Sequence, residues 1–259
     1  MALVRIDRGS EVTTITLTDA ATRNTLSQAM LAQLHAAIDE AGRLDAPVVV
    51  LAAEGPAFSA GHNLGELVGI TAPQARRLFE SAAATMQAVH AIPQPVIARV
   101  QGPAFAAGCQ LVASADLAIA AASASFALPG ITRGLFCHTP LVAVSRAIAP
   151  KRALEMALTG TPIDAETAAQ WGLVNRCVPD DQLDAAVDEL VHRLTDTGSP
   201  YARGLGKRVF YDQAGLPEAQ AYALAAPAIA LNAILPDAQE GFASFVAKRA
   251  PQFTMGPHD

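Results

Sequence analysis

Residues 101–110 read Gln-Gly-Pro-Ala-Phe-Ala-Ala-Gly-Cys-Gln, and this turn decides how the rest of the chain is interpreted. It follows the apolar, strand-like run Val96–Val100 and precedes a short apolar run, Leu111–Ala113, that favours a helix. A strand that stops at Gly-Pro and restarts as a helix leaves backbone N–H groups unpaired at the helix N-terminus. Such groups can stabilise a developing negative charge without any ionisable side chain.

A similar turn lies earlier in the chain, after another apolar run. We call Phe58–Leu64 the first turn and Phe105–Leu111 the second turn. Phe58–Leu64 and Phe105–Leu111 each read Phe, a small residue, Ala, Gly, and then a residue predicted to begin a helix. Two such turns on neighbouring strands can aim two N–H groups at one oxygen atom, which is the geometry of an oxyanion hole. Glycine at these positions is equally consistent with close packing of a helix on a strand. The pattern alone leaves both interpretations open.

The order of apolar segments predicts an α/β architecture. Leu3–Arg8 and Val12–Leu17 alternate apolar and polar residues, which is typical of an opening β-hairpin. Val48–Ala53 is uniformly apolar and therefore favours a strand covered on both faces. Strands and helices alternate until Thr139, after which the pattern is mainly helical, so we predict buried, largely parallel strands. Helix caps are predicted at Ser27, Thr71 and Asp164.

Composition and charge exclude several classes of function. The formal net charge of −6 over 259 residues argues against a nucleic-acid surface, which needs a basic stripe. The basic pairs Lys207-Arg208 and Lys248-Arg249 can still meet a phosphorylated small ligand. The three cysteines and six histidines lack the spacing of a disulfide framework or a metal site. Because no apolar run is long enough to span a membrane and the N-terminus lacks a targeting pattern, we expect a soluble, cytoplasmic protein.

Several segments resemble one known family along almost the whole chain. The chain resembles the enoyl-CoA hydratase/isomerase (crotonase) superfamily. The matching segments are Asn24–Leu26, Phe58–Leu64, Gly108–Leu111 with Asp116, Pro150–Met156, Ala168–Val174 and Glu240–Pro251. Within this superfamily, Gly108–Ser114 and Gly134–Cys137 are similar to the branch of enoyl-CoA hydratase domain-containing protein 3. The resemblance implies a crotonase-like spiral of ββα units over residues 1–195. Residues 196–259 would then form a helical C-terminal trimerisation subdomain, in a homotrimer or a dimer of trimers.

The resemblance also implies a site for an acyl-CoA substrate, with no further cofactor. The thioester carbonyl would lie between the backbone N–H groups of His62 and Ala107, where a thioester enolate or oxyanion is stabilised. The residues that match coenzyme A contacts of the family are Arg23, Ala60, Gly61, His62 and Lys248. For Arg23 and Lys248, a solvated surface charge is the alternative interpretation.

Two positions depart from the family pattern. Hydratases of the family hold one water between two glutamates, and the matching positions here are Gln110 and Gly130. A glutamine side chain orients water by hydrogen bonds but transfers no proton near neutral pH, and glycine has no side chain. A general acid or base typically contributes about 10²–10⁴-fold to a rate. We therefore expect ordinary hydratase activity to be weak or absent.

His138 is the residue that can replace the missing proton transfer. It matches a position where an aspartate acts as acid/base or nucleophile in other branches of the superfamily. A histidine there suits proton transfer near pH 7, so acyl-CoA isomerase or hydrolase chemistry is one alternative. A histidine that only lines the pocket is the other, and it fits a non-catalytic acyl-CoA-binding subunit. Cys137 is a weaker nucleophile candidate and favours a buried, inert thiol.

Overall fold

The computed structural model describes residues 2–259, which form nine strands and ten α-helices. The strands are β1 (Val4–Arg8), β2 (Val12–Leu17), β3 (Val48–Ala53), β4 (Val96–Val100), β5 (Ala104–Phe105), β6 (Leu117–Ala121), β7 (Ser125–Ala127), β8 (Ile163–Asp164) and β9 (Arg176–Val178). The helices are α1 (Gln28–Ala41), α2 (Ala72–Ala91), α3 (Ala107–Ser114), α4 (His138–Ala147), α5 (Pro150–Thr159), α6 (Ala165–Trp171), α7 (Leu183–Thr195), α8 (Pro200–Gln213), α9 (Glu218–Ala233) and α10 (Pro236–Val246). Short 3-10 helices include Leu64–Leu67 and Pro129–Arg133.

The main sheet has six strands in the order β1-β2-β3-β4-β6-β9. The first two strands are antiparallel, which confirms the predicted hairpin. Every later neighbour in this sheet is parallel, which confirms the predicted parallel arrangement. Because β3 and β4 are adjacent and parallel, the two turns that follow them leave the same edge of the sheet.

Strand β3 is buried on both faces, as its uniformly apolar sequence predicts. Val49 and Leu51 belong to the larger core, which also contains buried side chains of α1 and α2. Val48 and Val50 belong to a second core with buried side chains of α7. Helices therefore cover this parallel sheet on both sides, which explains the absence of polar alternation along β3.

The three predicted helix caps are confirmed. The Ser27 hydroxyl accepts a hydrogen bond from the N–H of Met30 at 3.1 Å at the start of α1. The Thr71 N–H donates to the Gln74 side chain at 3.0 Å, and Asp164 accepts from the N–H of Thr167 at 2.7 Å. These contacts satisfy donors that the first turn of a helix leaves free.

A smaller sheet joins β5, β7 and β8, and the sequence pattern did not predict it as a sheet. Strand β5 pairs parallel with β7, which pairs antiparallel with β8. Strands of two or three residues are too short to show a period-two alternation. The small sheet is nevertheless important, because β5 lies inside the turn formed by residues 101–110.

Helix α8 is joined to the core by a buried ion pair. Lys207 Nζ lies 2.7 Å from Asp116 Oδ2, and the Tyr211 hydroxyl donates to Asp116 Oδ1 at 2.7 Å. Burial lowers the pKa of Lys207, which the charge of Asp116 partly opposes. The expectation that Lys207 can meet a phosphorylated ligand is therefore wrong, since its side chain is enclosed. Within residues 2–259, no single helix is both long and apolar enough to span a membrane.

Helices α9 and α10 present apolar side chains to solvent. Helix α9 has no buried residue, and Ile229 is 69% exposed. On α10, Phe245 is 83% exposed. The division at residue 195 stays a prediction, but the helical character predicted for residues 196–259 is confirmed.

Candidate functional site

A cavity of about 640 Å³ lies beside the two predicted turns. Its wall is mostly apolar, and it includes residues of both turns: Ala60 and His62 from the first, Phe105 and Ala106 from the second. Further apolar side chains in the wall are Leu64, Leu67, Val68, Phe79, Leu135 and Phe136. The cavity is in the size range of small-molecule sites.

In the first turn, the backbone donor that follows Gly61 has no partner among the described residues. The N–H of Ala60 donates to the carbonyl of Arg23 at 3.0 Å, and that of Gly61 donates to the Ser59 hydroxyl at 3.2 Å. Gly61 adopts φ +89°, which a residue with a side chain disfavours. The next N–H, that of His62, donates no hydrogen bond to residues 2–259.

The second turn produces the same arrangement with an alanine. The N–H of Ala106 donates to the carbonyl of Ala127 at 2.9 Å, and Ala106 adopts φ 49° and ψ −115°. The following N–H, that of Ala107, has no acceptor in the described part of the chain. A non-glycine residue at positive φ typically costs on the order of 1–3 kcal/mol. In both turns, the free N–H therefore follows directly after a residue with positive φ.

Helix α3 begins at Ala107, so the predicted start at Cys109 is wrong by two residues. The cause is the positive φ of Ala106, which ends β5 and lets the next residue enter the helix. His62 does not begin a helix either, since the 3-10 helix starts at Leu64. The two turns are thus similar in backbone rather than in glycine position.

Glycines bring the two turns into contact. The Phe105 N–H donates to the carbonyl of Ser59 at 2.9 Å, which joins the turns by a short parallel bridge. A Cβ placed on Gly61 would lie 3.3 Å from the backbone nitrogen of Ala107. A Cβ on Gly108 would overlap the carbonyl oxygen of Ser59. Close packing, one of the two interpretations of these glycines, is therefore correct, and the packing brings the two free donors into neighbouring positions.

Asn24 supports the first turn, a role that the sequence analysis did not assign. It is buried with φ 53°, and its side-chain amide donates to the carbonyls of Glu54 at 2.8 Å and Ala57 at 2.9 Å. The Ser59 hydroxyl donates to the Asn24 carbonyl at 2.8 Å. Asparagine tolerates this backbone region better than most residues, which is the sequence signal that could have identified it.

The His62 ring is held beside the first turn. Its Nδ1 lies 3.2 Å from the carbonyl oxygen of Leu26, so the hydrogen resides on Nδ1. The ring meets Phe79 edge to face, with centroids 5.3 Å apart. Its Nε2 is buried and has no partner among the described residues. Burial lowers the pKa of His62, opposed by the Leu26 hydrogen bond and the charge of Glu66, so the ring is neutral at pH 7.

Gln110 lies one turn into α3 and is not part of the cavity wall. The side chain is 4% exposed, and its Oε1 is buried without a partner in the described chain. A buried amide of this kind carries no proton that it can release near neutral pH.

Gly130 lines the cavity, and there is no room for a side chain on it. A Cβ on Gly130 would overlap the carbonyl oxygen of Leu135 and would lie 2.8 Å from Cys137 Sγ. The N–H of Leu135 donates back to the Gly130 carbonyl at 3.0 Å, which holds the loop in this position. The space beside Gly130 is thus filled by the loop that follows it.

His138 and Cys137 line the same cavity. His138 is the first residue of α4; its exposed side chain lies near the Phe136 ring, with centroids 5.0 Å apart. No carboxylate pairs with His138 within residues 2–259. Burial raises the pKa of the Cys137 thiol, which is consistent with an inert cysteine.

The predicted coenzyme A contacts divide into two groups. Ala60 and His62 line the cavity, and Gly61 lies between them in the chain. Arg23 and Lys248 are exposed and do not contribute to the cavity wall. A role for these two residues in binding coenzyme A stays a prediction.

A sequence profile of the enoyl-CoA hydratase/isomerase family matches residues 7–256. The chain belongs to this family. Enoyl-CoA hydratase domain-containing protein 3 of Rattus norvegicus, named as mitochondrial, is 42% identical over 239 residues, which cover 92% of this chain and 79% of that protein.

Solved structures of enoyl-CoA hydratase relatives have the same fold as this chain. The structure of an enoyl-CoA hydratase of Mycobacterium smegmatis matches with a TM-score of 0.94 and 42% identity, covering 97% of this chain and 99% of that chain. Human enoyl coenzyme A hydratase domain-containing protein 3 matches with a TM-score of 0.90 and 39% identity, covering 97% and 100%. The predicted crotonase-like fold and the resemblance to this branch are confirmed.

Proposed function

We propose that the chain binds an acyl-CoA with the thioester carbonyl between the N–H groups of His62 and Ala107. The observation that carries this proposal is the pair of partnerless donors in abutting turns beside an apolar cavity. When a proton leaves the α-carbon or a nucleophile adds to the carbonyl, negative charge grows on the oxygen. Two fixed donors stabilise that charge, and loss of one typically costs about 2.7–4 kcal/mol.

The same site lacks the groups that ordinary hydratase chemistry needs, so little hydratase activity is expected. Addition of water to an enoyl-CoA needs one group to take a proton from water and one to deliver a proton to the α-carbon. Gln110 transfers no proton, and the space beside Gly130 is filled by Leu135 and Cys137. Replacing Gln110 by glutamate would therefore restore only one of the two groups.

Two measurements on the wild-type protein test this proposal. The loss of absorbance as crotonyl-CoA is hydrated should proceed far below the rate of an active hydratase. Calorimetry should detect binding of the saturated analogue butyryl-CoA. Normal hydration of crotonyl-CoA would overturn the expected loss of hydratase chemistry, and no butyryl-CoA binding at millimolar ligand would overturn the acyl-CoA site itself.

A second candidate is an acyl-CoA isomerase or hydrolase that uses His138. The position of His138 in the cavity wall favours it, since a histidine can move a proton on the acyl chain or activate water. Wild type, His138→Ala and the surface control His192→Ala should be compared on a panel of acyl-CoA esters. Turnover that is lost only in His138→Ala supports this candidate, and equal turnover in all three excludes it.

A third candidate, a non-catalytic acyl-CoA-binding subunit, is favoured by the absence of a carboxylate at both positions 110 and 130. Binding of acyl-CoA without turnover of any ester in the same panel would support it. Turnover of any ester in proportion to protein concentration would reject it.

We further propose that α9 and α10 mediate assembly into a homotrimer or a dimer of trimers. An α-helix with no buried residue and several exposed apolar side chains normally packs against another surface. Light scattering of wild type and of Phe245→Glu tests this, because a charge at an interface opposes association. A monomeric wild type would reject the proposal.

The location of the protein is a separate question. A cytoplasmic location stays our prediction, whereas the rat relative is named as mitochondrial. Fractionation of cells that produce the full-length protein distinguishes the two.

A further inference from the structure

The polar groups of the cavity are unevenly distributed. The 3-10 helix 129–133 and the start of α4 supply Thr132, Arg133, His138 and Thr139 to the wall. The wall residues contributed by 64–79, Leu64, Leu67, Val68 and Phe79, are apolar, and the first turn adds the His62 ring. Among the described residues of the wall, Arg133 is the one lysine or arginine, and there is no aspartate or glutamate. The cavity therefore carries a fixed positive charge with no acidic residue beside it in the wall.

The Arg133 guanidinium has only weak, local partners. One nitrogen donates to the carbonyl oxygen and the hydroxyl of Thr132, both at 3.3 Å. By contrast, Arg249 pairs with Glu240, and Arg176 pairs with Glu189 at 2.9 Å. No carboxylate within residues 2–259 forms an ion pair with Arg133. Most of its five N–H donors therefore have no protein partner among the described residues.

A free guanidinium on an apolar wall selects a particular chemistry. Its planar donors match the two oxygens of a carboxylate or a phosphate, and such charge-assisted pairs are the stronger hydrogen bonds of proteins. Arg133 is exposed, so water competes for part of this attraction and the pair is weaker than one in a closed cavity. A ligand with only a methyl-terminated apolar chain would leave this group unused.

We infer that Arg133 binds a second anionic oxygen group of the ligand, in addition to the thioester carbonyl held by the two turns. This inference rests on the proposed acyl-CoA site. The anionic group is a carboxylate at the end of the acyl chain. Arg133 is thus a specificity-determining residue of the cavity.

Calorimetry with matched ligands tests the inference on the full-length protein. Glutaryl-CoA and pentanoyl-CoA have acyl chains of equal length and differ in the terminal carboxylate. Pentanoyl-pantetheine keeps the thioester and lacks every phosphate. The variants are Arg133→Gln, Arg133→Lys, which retains the charge, and Arg43→Gln, which removes one exposed charge outside the cavity wall.

If Arg133 binds the acyl carboxylate, wild type prefers glutaryl-CoA, and Arg133→Gln loses that preference while binding pentanoyl-CoA normally. The loss of preference should be about 5-fold, partly rescued by Arg133→Lys. If Arg133→Gln instead weakens both CoA esters equally and leaves pentanoyl-pantetheine unaffected, the guanidinium meets a coenzyme A phosphate and the inference is overturned. Arg43→Gln should behave as wild type.

Equal affinities of wild type and Arg133→Gln for all three ligands would overturn the inference while leaving the thioester site intact. Absence of any binding by wild type would instead reject the thioester site, and this inference with it. Melting temperatures of the variants distinguish a lost contact from a protein that no longer folds.

Discussion

The turn after β3 and the turn after β4 each place an N–H group without a partner among the described residues directly after a residue with positive φ, yet they reach this arrangement with different residues. The first places a glycine, Gly61, at the positive φ that precedes the free donor. The second places Ala106 there and uses its glycine, Gly108, two residues later for close packing against Ser59. The glycines of the two turns therefore occupy non-equivalent positions. The turns share a backbone conformation, a positive φ just before the free N–H, and not the position of a glycine.

The largest expected effect comes from the packing glycine. In Gly108→Ala the new Cβ overlaps the backbone carbonyl of Ser59, so the two turns must separate. We expect a loss of about 3 kcal/mol in the free energy of unfolding, the upper part of the usual range for overpacking. Urea denaturation measures it.

Gly206→Ala is the matched control for Gly108→Ala. Gly206 also lies inside a helix, but no atom lies within 4 Å of its added Cβ. Alanine there should be neutral or stabilising by up to about 1 kcal/mol. If both variants unfold at the same urea concentration, the close contact between the turns is not important for stability.

The next effect belongs to Gly61. Alanine at φ +89° is strained, and its Cβ would lie 2.9 Å from both the Ala106 Cβ and the Phe105 carbonyl oxygen. We expect Gly61→Ala to cost about 1–3 kcal/mol of stability and to abolish butyryl-CoA binding, since the His62 donor moves. Denaturation and calorimetry together measure both changes.

Gly215→Ala separates backbone strain from contact at the site. Gly215 has φ +88° and no atom within 4 Å of an added Cβ. It should lose stability through strain alone and bind butyryl-CoA as wild type does. A Gly61→Ala variant that also binds normally would contradict the placement of the carbonyl between the turns.

The first turn contains the titratable ring of His62, whereas the second contains only the buried thiol of Cys109, whose pKa is raised by burial to about 12. The pKa of His62 is lowered by burial from its ordinary value of 6.5, so the unfolded chain binds more protons below that pH. Its contribution to the unfolding free energy is therefore complete above pH 6.5 and falls as the pH decreases, by at most about 1.4 kcal/mol per pH unit.

His62→Phe should reduce this acid sensitivity between pH 7 and pH 5. Part of it should persist, because burial also lowers the pKa of His90. Urea denaturation at the two pH values measures the difference. An unchanged pH dependence in His62→Phe would show that the ring is not buried as a neutral group.

The sequence predicts the fold well because apolar runs and helix caps are local signals. The uniform run Val48–Val50 and the Asp164 cap are visible without tertiary contacts. The start of α3 is not, since nothing in the letters Ala106-Ala107 indicates that the first takes a positive φ. That conformation is imposed by β5 pairing with β7 and by the contact with Gly61.

The sequence indicates only those residues of the candidate site that belong to local motifs. The two donors, Gly130 and His138 follow from residues that stand in recognisable motifs. Arg133 was missed because its significance depends on a cavity built from segments distant in the chain. Asn24 was matched to the family, but its two hydrogen bonds to the loop of the first turn became evident only in the structure.

The smallest expected effect tests the comparison between the turns most directly. Ala106→Gly gives the second turn the residue type that the first turn already uses at its positive φ. Removal of the strain stabilises the folded chain, whereas glycine gives the unfolded chain more conformational freedom, at roughly 0.4–1 kcal/mol. We expect a net gain of less than about 1 kcal/mol with butyryl-CoA binding retained. Ala113→Gly, in the helix α3 that follows Ala106, lacks the strain and should only destabilise. A clear loss of stability in Ala106→Gly would mean that the alanine methyl, packed towards Gly61, stabilises the contact between the turns more than its backbone strain opposes it.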